Sequence, residues 1–307
     1  MPNSFMCAYD DNGSNAVKLL RRNFMPIFTN KATLSYNGIT VDSNTVTGSY
    51  TELLTVSKIA LPDSYGPESV ITYVISLVNA GTTALTGLVV SDDLGGYAFD
   101  TTTVYPLTYV EGSLLYLING TPQTAPAVVD GPPLVFSGIN IPAGGNATII
   151  YEAQTNSFAP LAVGETVTNT VTVTGGGLIE NLTADETVTV RNAPYLSINK
   201  ALSPLTVLDN GEIVYTFVIS NSGNRATVAT DDVVVTDLFD PILDISSVTL
   251  DGTPLSPTTQ YTYNETTGLF ETVSGVITVP EATYVQNPDG SYTVIPGTTT
   301  LAVTGII

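Results

Sequence analysis

At 307 residues the chain is long enough for two cored domains, and with 43% hydrophobic but only 12% charged residues it is globular and not a disordered acidic chain. It has no His and one Cys, which removes the commonest general base and metal ligand, any internal disulfide framework and any Cys-rich zinc site. Eight Lys and Arg against 28 Asp and Glu leave a net charge of −20, which argues against nucleic acid and anionic membrane surfaces as partners.

The charge is unevenly spread. Residues 1–31 hold Lys18, Arg21, Arg22 and Lys31 against Asp10 and Asp11, a net of +2, while the remainder carries −22. The bland reading is chance in a short tail; the functional reading is a basic arm steered toward an acidic body. The opening stretch has no apolar core of secretory-signal length, and no membrane span is expected, so the export route is left open. Ala16 to Phe24 can form one or two helical turns, too short to be stable alone. Cys7 is an unpaired thiol or a link between neighbouring molecules. Glycine-rich phosphate loops are missing, so no cofactor, no metal and no enzyme acting on an external substrate are expected.

From residue 50 onward the chain reads as short strands rich in Val and Thr, separated by Gly, Pro and Asn turns. Two copies of one pattern follow each other. LLTVSK ending at Lys58 matches YLSINK ending at Lys200, and ITYVISLVNAG at 71–81 matches IVYTFVISNSG at 213–223. LVVSDDLG at 88–95 matches VVVTDLFD at 233–240, placing Asp92 over Asp237. LINGTP matches TLDGTP, and IPAGGNATIIYEA from Ile141 is set against IPGTTTLAVTGII from Ile295. Each copy holds about seven strands with period-2 alternation, the pattern of an immunoglobulin-like sandwich. Ile71, Tyr73, Ile75 and Leu77 share one face, and the NG and DG pairs mark hairpin turns.

The copies differ at their ends. Copy one continues through ETVTNTVTVTG at 165–175 and TADETVTV at 183–190, whereas copy two reaches Ile307 after the strand matching IIYEA. The expectation is an all-β chain of two tandem sandwiches, 49–192 and 193–307, the second lacking its final strand, preceded by an arm at 1–48. An uncovered sheet edge is costly and prone to association. FTNKATLSYNG at 28–38 matches VTNTVTVTGGG at 167–177 and puts Asn30 over Asn169. The arm thus stands in the register of a final strand, with Phe28, Asn30, Ala32, Leu34 and Tyr36 as donor residues. Donated to a neighbouring molecule it gives an open head-to-tail filament. Folding back onto its own second copy requires it to pass the first copy lengthwise.

Three residue types recur in this register. Lys58 and Lys200 end the first strand of each copy, Asp92 and Asp237 follow, and Asn169 or the arm's Asn30 completes the set. Burial favours a neutral amine and a protonated carboxyl. The amine then attacks the asparagine carboxamide, ammonia leaves, and an isopeptide bond forms, the acid shuttling protons through the amide oxygen. Asp92 and Asp237 are the promoting acids of this reading, Lys58 and Asn169 an internal crosslink, Lys200 and Asn30 a crosslink between molecules. Ordinary readings stay open: a strand-end Lys reaching for water, an Asp capping a turn, an Asn satisfying a loop.

LSINKALSPLTVLDNGEIVYTFVISNSGN with VVVTD and ETVTNTVTVTG resembles the bacterial surface-protein repeat catalogued as domain of unknown function eleven, over residues 50–307. The resemblance implies immunoglobulin-like repeats in cell-surface stalks and adhesins, with Lys–Asn isopeptide bonds as in pilins. Lys58, Asp92 and Asn169 fit that pattern, and Lys200 and Asp237 fit it without an asparagine in the same copy. A structural, self-associating extracellular or cell- or spore-surface fibre subunit is expected, with copies of itself as partner. The competing expectation is a monomeric adhesin or a sandwich holding Ca²⁺ through acidic loops such as 183–187 and 229–232.

Overall fold

A computed structural model describes residues 27–49, 53–208 and 210–307; Cys7, Lys18, Arg21, Arg22 and the segment Ala16 to Phe24 lie outside them. Among the described residues there is no α-helix, and none is long and apolar enough to cross a membrane. Period-2 alternation of apolar and polar side chains dictates strands, and the described residues are all-β as expected.

Residues 1–53 and 54–307 form two units. In the first, β1 (Ile27–Asn30) pairs antiparallel with β4 (Val46–Ser49), and β2 (Thr33–Tyr36) with β3 (Ile39–Asp42). Together they make a hairpin. Its tip is Asn37-Gly38 with φ of 45° and 79°, the left-handed pair that a tight hairpin turn requires.

The second unit holds two immunoglobulin-like β-sandwiches. One sheet of the first runs β13 (Thr121–Pro122), β12 (Leu115–Ile118), β16 (Asn146–Thr155), β7 (Val70–Asn79) and β5 (Leu54–Leu61), with β11 (Leu107–Tyr109) also on β16. The facing sheet runs β14 (Ala127–Val129), β15 (Leu134–Ile141), β8 (Leu85–Asp92), β17 (Thr166–Gly175), β18 (Leu182–Val190) and β6 (Ser64–Tyr65). A small hairpin, β9 (Tyr97–Phe99) and β10 (Thr102–Val104), lies beside them. Ile71, Tyr73, Ile75 and Leu77 of β7 do share the core face, packed against Leu88, Val90, Phe136, Val171 and Val173 of the other sheet.

In the second sandwich one sheet runs β19 (Leu196–Ser203), β20 (Glu212–Asn221), β28 (Gly297–Ile306), β22 (Asp244–Leu250) and β23 (Thr253–Pro254). The facing sheet holds only β21 (Thr236–Leu238), β25 (Leu269–Thr272) and β24 (Tyr261–Asn264). β8 is flanked by β15 and β17, whereas β21 pairs with β25 alone among the described residues. The core shrinks accordingly, to residues such as Ile213, Phe217, Phe239, Phe270, Leu301 and Val303.

One expected match is corrected. Ile141-Pro142 corresponds to Val279-Pro280, not to Ile295-Pro296. The amide of Asn79 donates to Pro142 O at 3.0 Å, and that of its counterpart Asn221 donates to Pro280 O at 2.9 Å. The residues between Pro280 and β28 are an extra hairpin, β26 (Thr283–Gln286) and β27 (Tyr292–Ile295), with no counterpart in the first copy. It reaches the first sandwich: Tyr292 N–H donates to Ser157 O at 2.7 Å, and Tyr284 and Val294 pack against that core.

Candidate functional site

β5, β7, β8, β16 and β17 converge on the first sandwich's charged centre. Lys58 stands on the core face of β5, whose pattern alternates buried and exposed from Leu54 on, so its side chain enters the core in place of an apolar one. Lys58 Nζ donates to Asp92 Oδ2 at 2.6 Å, and both side chains are fully buried. Desolvation pulls the Lys58 amine below the usual lysine range, opposed mainly by the Asp92 charge. The ammonium lies 4.7 Å from the centre of the Tyr73 ring.

Asn169, also fully buried, comes from β17, whose Val171 pairs with Asp92 itself. Its Oδ1 accepts Gly95 N–H at 3.3 Å and its Nδ2 donates to Tyr151 Oη at 3.3 Å. Tyr151 Oη in turn donates to Asp92 Oδ2 at 2.6 Å, and Leu94 N–H donates to Asp92 Oδ1 at 3.0 Å. The three residues singled out from the sequence are therefore brought together in one buried hydrogen-bonded group. Its further members, Tyr151 and Gly95, are additions of the structure. The donor placed on the amide oxygen is Gly95 N–H, where the sequence suggested the acid. A cavity of about 280 Å³, lined in part by Gly95, Gly96, Val167 and Thr168, adjoins this group.

The same register in the second sandwich is open. Lys200 again bonds Asp237, and its Nζ lies 4.4 Å from the Tyr215 ring centre and 5.5 Å from those of Phe217 and Phe239. But the Lys200 side chain is 41% exposed. In the first sandwich β18 packs over β5, and Leu54 and Val56 are 2% and 8% exposed. Their counterparts on β19, Leu196 and Ile198, are 42% and 56% exposed. Leu196, Ile198 and Lys200 of β19 are thus left uncovered beside Asp237 and the edge of β21 that pairs with no strand among the described residues.

The arm hairpin has the converse form. Phe28·Gly48, Asn30·Val46, Leu34·Val41 and Tyr36·Ile39 are cross-strand pairs, alternating with Thr29·Thr47, Thr33·Asp42 and Ser35·Thr40. The first set is apolar apart from Asn30 and the tyrosine hydroxyl. The second set is polar and carries its own bonds: Lys31 Nζ to Asp42 at 2.6 Å and Thr33 Oγ1 to Asp42 at 3.0 Å. Phe28, Leu34, Tyr36, Ile39, Val41 and Val46 are nonetheless 48–63% exposed. Ala32, exposed too, sits between the two ladders, its N–H bonded to Ser43 Oγ at 2.9 Å. In the β17–β18 hairpin Asn169 pairs with Glu186, whereas in the arm Asn30 pairs with Val46.

No family model matches the sequence, and no curated protein matches it closely. Among solved structures, the major pilin subunit of Bacillus cereus is 13% identical, with 88% of this chain and 73% of that one aligned at a TM-score of 0.34. The pilus backbone of Streptococcus pneumoniae is 13% identical over 83% and 50% of the two chains, at a TM-score of 0.33. An enzyme that catalyses macrocyclisation in alchivemycin A biosynthesis is 12% identical over 53% and 97%, at 0.28. Likenesses at this level concern the laying-out of strands and transmit no function.

Proposed function

We propose that this chain is the structural subunit of an extracellular or cell- or spore-surface fibre, in which the arm hairpin of one molecule completes the second sandwich of the next. The observation that carries the reading is the match of two exposed apolar surfaces. Leu196 and Ile198 of β19 lie open, and so does the hairpin face of Phe28, Leu34, Tyr36, Ile39, Val41 and Val46. Six large apolar side chains at about 1.5–3 kcal/mol each give a gross gain on the order of 10 kcal/mol. That is comparable with the association cost of about 4–15 kcal/mol. Main-chain pairing of β1 and β2 along the free edge of β21 therefore decides how firmly the joint holds. A contact between unlike surfaces that does not close generates a filament.

In the register of the first sandwich, docking brings Asn30 to Lys200 and Asp237, as Asn169 is brought to Lys58 and Asp92. The first group is the reactants of an internal isopeptide bond between Lys58 Nζ and Asn169 Cγ, with ammonia as leaving group. The second becomes the same bond between molecules once the hairpin covers Lys200. The chain is then its own substrate and catalyses nothing external.

Boiling assemblies in detergent tests the covalent joint. Wild type is expected to run as a ladder, and Asn30→Ala to collapse to the single-chain band while still forming fibres in buffer. A wild type that dissociates wholly to single chains would sink the covalent joint and leave strand donation standing.

A further inference from the structure

We infer that Tyr151 is the proton relay of the first sandwich's crosslink, passing a proton from Asp92 to the nitrogen that leaves Asn169. This rests on the crosslinking reading above and deepens it. Tyr151 Oη lies between the acid and the leaving group, 2.6 Å from Asp92 Oδ2 and 3.3 Å from Asn169 Nδ2. Asp92 Oδ2 also holds Lys58 at 2.6 Å, and its Oδ1 is taken by Leu94 N–H. Asn169 Oδ1 is taken by Gly95 N–H. Among the hydrogen bonds of the described residues, carboxylate and carboxamide are thus joined through one phenol.

The steps balance. The Lys58 ammonium gives a proton to Asp92, and the free amine attacks Cγ of Asn169. The new N–C bond forms as the carbonyl pair moves onto Oδ1, where Gly95 N–H holds the oxyanion. Asp92 hands its proton to Tyr151 Oη while Tyr151 hands its own to Nδ2. The C–Nδ2 bond breaks, the Oδ1 pair restores the carbonyl, and ammonia departs toward the cavity beside Gly95 and Thr168. Asp92, a carboxylate again, takes the surplus proton from the new amide nitrogen and releases it to the ammonia. Lysine ammonium and carboxamide have become amide and ammonium, and Tyr151 ends as it began. Burial, and then the Asp92 charge, hold the Tyr151 phenol well above its ordinary range. It therefore acts as a protonated bridge, giving one proton as it receives another, and not as a free phenolate.

The second sandwich lacks this bridge. Tyr73 and Tyr215 are counterparts; opposite Tyr73 on the ladder stands Tyr151, and opposite Tyr215 stands Val303. The two crosslinks are therefore chemically unequal, and the internal one is the faster.

Intact-mass spectrometry of the full chain during cell-free synthesis tests the relay, with Asn30→Ala in every sample so that only the internal bond is scored. The parent is expected to become lighter by one ammonia, with a rate that slows in deuterated water. Tyr151→Phe is expected to lose ammonia at least about a hundredfold more slowly, with β7 and β16 amides still protected from exchange. A folded Tyr151→Phe that reacts at the parental rate overturns the relay. Should that variant fail to fold, 3-fluorotyrosine placed at position 151 alone keeps the ring and hydroxyl and makes that phenol more acidic. A changed rate then supports the relay, and an unchanged rate overturns it. If the parent itself keeps its ammonia, the crosslink reading fails and takes the relay with it.

Discussion

Lys58 is where burial acts most strongly on chemistry. A lysine on the core face is costly unless paired, and removing one partner of a buried pair typically costs about 3–5 kcal/mol. The structure supplies Asp92 as the partner and the Tyr73 ring as a second attraction. Its amine is held below the ordinary lysine range by desolvation. Between that lowered value and the unfolded one near 10.4, the unfolded chain binds more protons than the folded chain, so stability rises with pH across the window. The buried tyrosines Tyr65, Tyr73 and Tyr151 act oppositely, because their raised values make the folded chain the better proton binder as pH approaches 10. The comparison must therefore cancel them. Asn169→Ala, which cannot crosslink, is predicted to gain more stability on raising the pH than the Lys58→Met, Asn169→Ala double variant. Equal pH slopes in urea unfolding would show that Lys58 keeps its proton in the folded chain. Lys58, Asp92 and Asn169 were legible in the sequence because repeat register alone sets them at equivalent positions. Tyr151 was not, because alternation says that it faces inward but not which of several core tyrosines meets Asp92.

At the scale of elements, the informative contrast is between β5 and β19. Both carry an apolar run ending in lysine and both pair with a long central strand, β7 or β20. They differ in what covers them. Val56 is buried under β18, whereas Ile198 is 56% exposed. Val56→Asp is predicted to cost more than about 4 kcal/mol, because it buries an unpaired charge. Ile198→Asp should change the stability of the single chain by about 0.5 kcal/mol or less, yet prevent fibres from forming. Ile198→Asp fibres of normal length would exclude β19 as the docking floor. The small second sheet was readable from the repeat, since β17 and β18 have no counterpart between β25 and Ile307. The β26–β27 hairpin was not. Ile-Pro occurs at both Ile141 and Ile295, and an inserted loop carrying the same dipeptide drew the alignment to the wrong one. The paired bonds from Asn79 and Asn221 show which proline closes each copy's core.

At the scale of the molecule, the inserted hairpin has a mechanical consequence. Through Tyr292 to Ser157, and through Asn224 Nδ2 to Leu161 O at 3.0 Å, the second sandwich is fastened to the first within one compact unit. The arm belongs to the other unit; Phe28, Leu34 and Ile39 on it, and Leu196 and Ile198 on β19, are among the exposed apolar side chains. In the proposed fibre each subunit carries a plug in the arm and a socket in the second sandwich. Net charge supports the same direction of assembly, since residues 1–31 carry +2 against −22 for the rest. The most direct measurement is electron microscopy and light scattering of the protein with and without residues 1–48. The full chain is predicted to form fibres, and the shortened chain to remain folded single molecules at every concentration. Fibres from the shortened chain would contradict strand donation by the arm.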